Sequence, residues 1–568
     1  MGNEKDKKII RFTENDQIDR LLNRVVNEVR DFTQAQVDQI RTLNQIGLAL
    51  SAEKNIDRLL EMIVEEARKL VNADGGTLYI MNDAGSELSF AIVQNETLDI
   101  RMGGTSGEIT WYPVRLVNPD GAPNHANVSA YAALTGEVVN IPDVYEVEGF
   151  NFEGTRKFDT KTGYRSKSML VVPMRNHENR IIGVLQLINA KDILSDEVIL
   201  FSVETQRMTE SLASQAAVAL TNNRLIRDLE NLFDAFIKTI ATAIDEKSHY
   251  TAGHIGRVAE LTMTIAKKIN EAEEGPFADV YLNDTQMREL SMAAWLHDVG
   301  KVATPEYVVD KATKLETICD RIDNVKTRFE VLKRDAEVEY IKKVNDGGGG
   351  QSNPGDAQRE YLERIRELEE DFHFLTRANV GTEFMADEQI ERLKAIAKRE
   401  WVVDGKKEPI IKDSELDNLN IRRGTLTEGE RNIIQNHAAI TYKMLCQLPF
   451  PKSLENVPDF ASAHHERLDG SGYPLGLKSE MLPIQSRIIA LADVFEALTA
   501  GDRPYKKGKT LSEAMKILSF MVKDNHIDPQ LFNFFVKEKI FQDYAQRELA
   551  PDQIDEVNLA ELGLEPQV

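Results

Sequence analysis

Three short polar motifs gather side chains able to bind metal: HDVGK (His297 to Lys301), HHERLDGSGYP (His464 to Pro474) and ADVFEALTAGDRPYK (Ala492 to Lys506). His254 stands before them and His437 between them, so five of the ten histidines fall in one stretch of the chain. A site for two or three ions needs several neutral imidazoles and a carboxylate that can bridge. Imidazole suits iron, zinc, copper and nickel, and carboxylate suits harder ions such as manganese. His297 and Asp298 are adjacent, so on a helix they diverge by about 100°. His297 can then cap one ion while Asp298 bridges two. His464 and His465 offer two imidazoles in succession, Asp493 adds a second carboxylate, and His437 completes the set. Such a site can orient a phosphate, activate a bridging water and stabilise an in-line displacement. Lys301 lies about one helical turn beyond Asp298 and shares its face. Arg503 and Lys506 have the same spacing, though Pro504 between them allows a turn as readily as a helix. The planar guanidinium of Arg503 can grip a phosphate bidentately.

On these motifs the segment from about Asp245 to about Ile527 resembles an HD-GYP domain, the HD-superfamily class that hydrolyses cyclic di-GMP. HHERLDGSGYP is nearly a full statement of that family's signature. The resemblance implies an all-α catalytic domain with His254, His297, Asp298, His437, His464, His465 and Asp493 as metal ligands. It implies two or three divalent ions, iron or manganese, with Lys301 and Asp298 in catalytic roles. Lys301, Arg503 and Lys506 would meet the substrate. Gly472, Tyr473 and Pro474 form the signature loop, linked in the family to partner docking and to shaping the site. The implied products are linear pGpG, GMP or both.

Two departures from the family pattern are visible. Members with a well-formed third metal site carry a glutamate one turn before the first histidine, where this chain has Tyr250; Glu246 lies about two turns before His254. The stretch between Asp493 and Arg503 is also longer than the commonest family spacing. Asp502 reads as a turn or capping residue, and His249 and His526 as surface residues. Glu466 and Asp469 fit ligand-orienting groups and polar turn residues equally well. Two other functions stay open: a catalytically silent module binding nucleotide or a partner, and a hydrolase of another cyclic dinucleotide.

The 568 residues suggest three or more folding units. A net charge of −24 argues against general affinity for DNA, RNA or anionic membrane, while a local cationic pocket could still take a small anion. Cys319 and Cys446 give no disulfide framework and suit a reducing cytosol. No apolar signal region opens MGNEKDKKII, and no apolar run is long enough to span a bilayer, so a cytoplasmic location is expected.

Residues 1–45 are charged, with Ile18, Leu21, Leu22, Val25, Val26 and Val29 at helical spacing, and read as a helix that pairs with another helix. From 46 to 222 the pattern is mixed. A helix from Asn55 to Val71 leads into the strand GGTLYIMND; SMLVVPMRN and IIGVLQLINA are two further strands, and a helix from about Asp196 closes the unit. FDTKTGYRSKSMLVVPM and IIGVLQLINAKD resemble a GAF domain of the kind found in cyclic-nucleotide phosphodiesterases and cyclases. Asn189, Asp196 and Glu197 fill parts of that family's nucleotide-binding pattern, but Ala190 stands in its lysine place. Its ligand therefore stays unknown. Helical periodicity without Gly or Pro over about 205–245 predicts a linker helix, suited to a parallel homodimer that passes signals from sensor to catalytic domain. The catalytic segment, 232–568, is interrupted by 316–421. There Leu315, Ile318, Ile322, Val325, Phe329, Leu332 and Ala336, then Tyr361, Ile365, Leu368, Phe372 and Leu375, predict an antiparallel helical hairpin. NDGGGGQSNPGD would be its turn. This hairpin and the signature loop are the candidate protein-docking surfaces.

Overall fold

The computed structural model describes residues 13, 15–247, 253–346, 354–501 and 508–562. They form two compact units, Met1–Asn231 and Leu232–Val568. No described helix is long and apolar enough to cross a membrane.

The first unit opens with α1 (Asp16–Ala52), whose first turn is capped by the Asn15 side chain, and α2 (Ile56–Val71). The Asn55 side chain caps α2, and Asn72 ends it in the left-handed conformation that asparagine tolerates. Ile18, Leu21, Val25, Val26 and Val29 of α1 are all exposed. Next come β1 (Ala73–Met81), β2 (Glu87–Asn95), β3 (Ile100–Gly103), β4 (Val114–Arg115), α3 (Val128–Thr135) and β5 (Val139–Ile141). Then follow α4 (Glu153–Thr162), β6 (Met169–Arg175), β7 (Ile181–Lys191), β8 (Val198–Ile199) and α5 (Val203–Asp245). The sheet is antiparallel in the order β3-β2-β1-β7-β6-β5. One face packs Leu78, Leu170, Val172, Leu185 and Leu187 against α2 and the first half of α5. The other packs Tyr79, Val171 and Val184 against α3 and the loops before β6. With both faces covered, the central strands read as near-continuous apolar runs, which is why they are legible in sequence.

The helix expected from Asp196 begins instead at Val203. Asp192 accepts hydrogen bonds from the amides of Leu194 and Ser195, and Asp196 has φ 58°, so the chain turns there and Val198–Ile199 pairs with β7. From Val203 the helix runs unbroken to Asp245.

In the second unit the end of α5 packs Phe233, Ile237, Ile240 and Ile244 into a helical core. That core is built from α6 (His254–Asn270), α7 (Asp284–Leu296) and, after the short α8 (Glu306–Val309) and an insertion, further helices. The insertion starts with α9 (Ile322–Asp346) and α10 (Pro354–Val380). Phe329 meets Phe372 at 5.6 Å and Tyr340 stacks on Tyr361 at 5.1 Å, so the two helices run antiparallel. Residues 347–353 of the connecting turn lie outside the described residues. Ile318 precedes the helix and is 97% exposed, so the apolar spacing expected to start at Leu315 becomes helical only from Ile322.

The hairpin is one part of a larger piece. It continues through α11 (Asp387–Ala397), a two-stranded ribbon of β9 (Glu400–Val403) and β10 (Lys406–Pro409), and α12 (Asp413–Leu419). All share a separate apolar core that includes Phe329, Leu368, Leu375, Leu393, Ile396, Ile410 and Leu419. The expectation of a wholly helical segment is corrected here: Asp404 and Gly405 have φ of 51° and 74°, the twist-compatible geometry of a two-residue hairpin. The helices that complete the unit are α13 (Glu428–Leu445), α14 (Val457–Ser462), α15 (Ile484–Thr499), α16 (Leu511–Lys523), α17 (Pro529–Lys537) and α18 (Ile540–Glu548).

Candidate metal centre

Five elements of the second unit bring the motif residues together. His254 is the first residue of α6. His297 ends α7, and Asp298 leads into the 3₁₀ segment Val299–Ala303. His437 lies within α13, His464 and His465 follow α14, and Asp493 sits within α15. The side chains fall into two groups, His254–His297–Asp298–Asp493 and His437–His464–His465, each with ligand atoms within 4.8 Å of one another.

Asp298 stands between the groups and turns one oxygen to each. Its Oδ2 lies 3.6 Å from His254 Nε2 and 3.2 Å from His297 Nε2. Its Oδ1 lies 3.3 Å from His437 Nε2 and 4.0 Å from His464 Nε2. Asp493 Oδ1 is 3.2 Å from His254 Nε2 and 3.8 Å from His297 Nε2.

The imidazoles are oriented by their far sides. His297 Nδ1 bonds the Ala294 carbonyl at 2.7 Å, His437 Nδ1 the Ile434 carbonyl at 2.5 Å and His464 Nδ1 the Ala461 carbonyl at 2.7 Å. A carbonyl can only accept, so each Nδ1 carries a proton and each Nε2 is left as the inward atom that can meet an ion. Nε2 of His297, His437 and His464 and Oδ1 of Asp298 are buried without a hydrogen-bond partner. Buried polar atoms are rarely left so. Inward lone pairs around a shared carboxylate are the donor set a divalent cation needs.

Electrostatics agree. Burial alone would raise the carboxyl of Asp298, but Lys301 and His297 hold it well below the usual range. Burial likewise opposes charge on Asp493, which His254 and His297 hold well below that range. In return, His254 and His297 overcome their burial: Asp298, Asp493 and Glu496 raise His254 well above its ordinary value, and Asp298 and Asp493 raise His297 to about 9. On the other side, burial pushes His464 well below its ordinary value and His465 down to about 3. The pocket thus draws positive charge to its carboxylates and keeps neutral imidazoles opposite, which fits bound cations.

Family models for known domains match the chain in the same places. A GAF domain model matches residues 55–220, and two HD domain models match 251–347 and 414–531. The chain joins a GAF domain to an HD domain. The chain is similar to a 3′3′-cGAMP-specific phosphodiesterase of Vibrio cholerae, 42% identical over 127 residues, or 22% of this chain and 28% of that protein. It is 40% identical to a cyclic di-GMP phosphodiesterase of Pseudomonas aeruginosa over 114 residues, 20% of this chain and 26% of that one. A cyclic di-GMP phosphodiesterase of Thermotoga maritima is 36% identical over 137 residues, 24% of this chain and 36% of that one. The chain therefore spans about a third or less of these relatives' lengths.

Within the HD domain, the packing at Gly300 explains the glycine of the HDVGK motif. A Cβ there would sit 2.0 Å from the His437 carbonyl oxygen and 2.7 Å from the Thr441 amide. The missing side chain lets α13 lie directly on the motif. Thr441 locks the contact, donating to the His297 carbonyl at 3.1 Å and accepting from the Gly300 amide at 3.0 Å. Since both obstacles are backbone, Gly300→Ala is expected to destabilise the HD domain by about 1–3 kcal/mol or more through overpacking. Urea unfolding of the full chain checks this; an unchanged midpoint would contradict the packing.

The signature loop is held in a similar way. A Cβ on Gly472 would collide with the backbone of Glu466 and Arg467, so glycine lets the loop fold back. Glu466 accepts from the amides of Leu475, Gly476 and Leu477 at 2.6, 3.0 and 2.9 Å. It is therefore a loop-shaping residue rather than a ligand-orienting one, and Asp469, bonded to the Ser471 amide, is a turn residue. The Tyr473 ring lies 4.8 Å from that of His465, and the Tyr473–Pro474 bond is cis.

Several expectations shift. Lys301 pairs with Asp298. Glu246 is exposed, and the neighbouring Asp245 is buried instead, accepting the Ile255 amide at 3.1 Å. Asp245 thus caps the first turn of α6, whose own cap, Gly253, has no side chain to offer. His526 is half-buried rather than a surface residue, lining a small cavity with Glu466, Arg487 and Asp528. His249, Tyr250, Asp502, Arg503 and Lys506 lie outside the described residues. Among described residues, the sequence reading missed Glu496. It lies one turn after Asp493 on α15 and bonds His254 Nδ1. The only signal was the spacing Asp493–Glu496, which puts both acids on one helix face.

In the GAF domain, Asn189 has φ 55° and is buried. It accepts the Lys167 amide at 2.7 Å and donates to the Arg165 carbonyl at 2.8 Å, a structural tie between β7 and the loop before β6. Cys319 and Cys446 are free and exposed.

Proposed function

We propose that this chain is a metal-dependent phosphodiesterase acting on cyclic di-GMP, with pGpG, GMP or both as products. The observation that carries the reading is Asp298, with one oxygen turned to each group of inward-facing imidazoles. His254, His297, Asp298, His437, His464, His465 and Asp493 would hold two or three divalent ions, iron or manganese. Bound ions supply Lewis acidity toward the phosphate and lower the pKa of water.

The chain's own groups do the rest. The carbonyl-anchored imidazoles keep their geometry through the reaction and need no reorganisation. Lys301, 28% exposed beside Asp298, places a cation at the mouth of the site, where it can meet a non-bridging phosphate oxygen. Arg503 and Lys506 act as further phosphate contacts. Tyr473, against His465, forms one wall and offers a ring on which a base can stack. We assign regulation to the GAF domain acting through α5. The exposed, helically spaced Leu225, Leu229, Leu232 and Phe236 of α5 support a homodimer.

The test is an anaerobic assay of protein loaded with iron or manganese, comparing cyclic di-GMP with 3′3′-cGAMP, with metal content measured on the same sample. The expected result is turnover of cyclic di-GMP with about two or more ions per chain. Preferential turnover of 3′3′-cGAMP, the substrate named for a relative at 42% identity, would move the reading to that dinucleotide. Neither metal nor turnover would support the silent module.

A further inference from the structure

His254 differs from His297, His437 and His464 in what holds it. His297, His437 and His464 each fix their protonated Nδ1 on a carbonyl of the preceding helical turn. His254 opens α6 behind its N-cap Gly253, so among the described residues that helix has no earlier turn to supply one. Its Nδ1 is bonded by the Glu496 carboxylate from α15. Glu496 is 1% exposed and anchored in turn by Arg257, whose Nε donates to its second oxygen at 2.7 Å. Arg257 lies on α6 one turn from His254, so the chain His254–Glu496–Arg257 closes on the helix that it orients.

We propose that Glu496, anchored by Arg257, is a positioning residue that sets the tautomer and tilt of His254, so that Nε2 faces Asp298 and Asp493. Glu496 touches neither substrate nor reacting atoms. It acts through His254 alone, and the inference rests on the metal-centre reading above. Because one carboxylate does here what the helix does elsewhere, this corner of the site depends on a single side chain. His297, His437 and His464 keep their backbone anchors whatever stands at 496. Loss of Glu496 should therefore weaken one ion and spare the other.

Full-length wild type, Glu496→Gln, Glu496→Ala and His254→Ala are titrated with Mn²⁺, with bound metal counted directly and free Mn²⁺ followed by its paramagnetic signal. Loss of an outer partner of a metal-bound histidine costs about 10–100-fold in affinity. Glu496→Ala should weaken one class of site by that factor and leave the remaining class unchanged. Glu496→Gln keeps an acceptor oxygen at nearly the same place and should recover much of the loss. His254→Ala should weaken the same class at least as far. Both classes binding as in wild type in Glu496→Ala, or equal loss of both in Glu496→Gln with an unchanged thermal midpoint, would overturn the role of Glu496. Unaltered Mn²⁺ binding in His254→Ala would instead sink the metal-centre reading itself. Should Glu496→Ala not fold, Glu496→Leu, which removes the acceptor and keeps the volume, decides together with Arg257→Gln: wild-type binding in both overturns the proposal.

Discussion

Asp298→Ala should release bound metal and cut turnover by about 10³-fold or more, because several kcal/mol of Lewis-acid stabilisation at about 1.4 kcal/mol per tenfold disappears with the ions. The reason lies in geometry rather than in charge alone. Each Asp298 oxygen faces a different set of imidazoles, so no other described carboxylate can substitute. Asp493 reaches His254 and His297 only. The variant also removes the carboxylate that pairs with the Lys301 ammonium. Lys301→Ala is the contrasting case. Under the proposed function it removes a phosphate contact and no ligand, so it should keep the metal and lose about 10²-fold or more in rate, as loss of one charge-stabilising donor does. Metal content and turnover on the same samples check both. Wild-type metal content in Asp298→Ala would refute the bridging role.

What was legible in the sequence follows from how local its cause is. The central GAF strands could be read because both faces of the sheet are covered, and the unbroken helix α5 because nothing in its sequence interrupts it. The site histidines could be read because metal chemistry needs rare residue types in short motifs. The missed features are non-local or small. Glu496 matters only because α15 crosses the start of α6, which no spacing in one helix reveals. Gly300 matters because α13 lies on its backbone. The ribbon of β9 and β10 is short and polar, and its Asp404–Gly405 turn was a local signal that the helical spacing on either side obscured. Asp245 illustrates the margin: its neighbour Glu246 looked suitable by spacing, but the helix buries the one and exposes the other.

The insertion carries the second large expected effect. Arg328 and Glu415 form a buried bidentate pair at 2.7 and 2.8 Å, and Arg328 also donates to the Ile410 carbonyl at 2.6 Å. Glu415→Ala strands a buried guanidinium and should cost about 3–5 kcal/mol, the usual consequence of removing one partner of such a pair. Replacing both residues together, Arg328→Met with Glu415→Leu, should recover most of that loss. Urea unfolding followed by Trp401 fluorescence, with Trp111 and Trp295 changed to Phe, reads the insertion itself. The pH dependence has a definite sign. Burial opposes the charge on Glu415, but Arg328 and the Lys412 amide hold its carboxyl below the ordinary value of 4.5. A depressed carboxyl stabilises the fold above its unfolded pKa, and that contribution fades as pH falls through the folded value. The Glu415→Ala penalty should therefore be full near neutrality and shrink in acid. Metal content should barely change. The insertion's apolar core is separate from that of the catalytic helices, and Lys311, which bonds both Asn418 and Glu430, ties it to the first turn of α13, two helical turns before His437. Joint loss of the insertion and the metal in Glu415→Ala would mean that the two cores unfold as one.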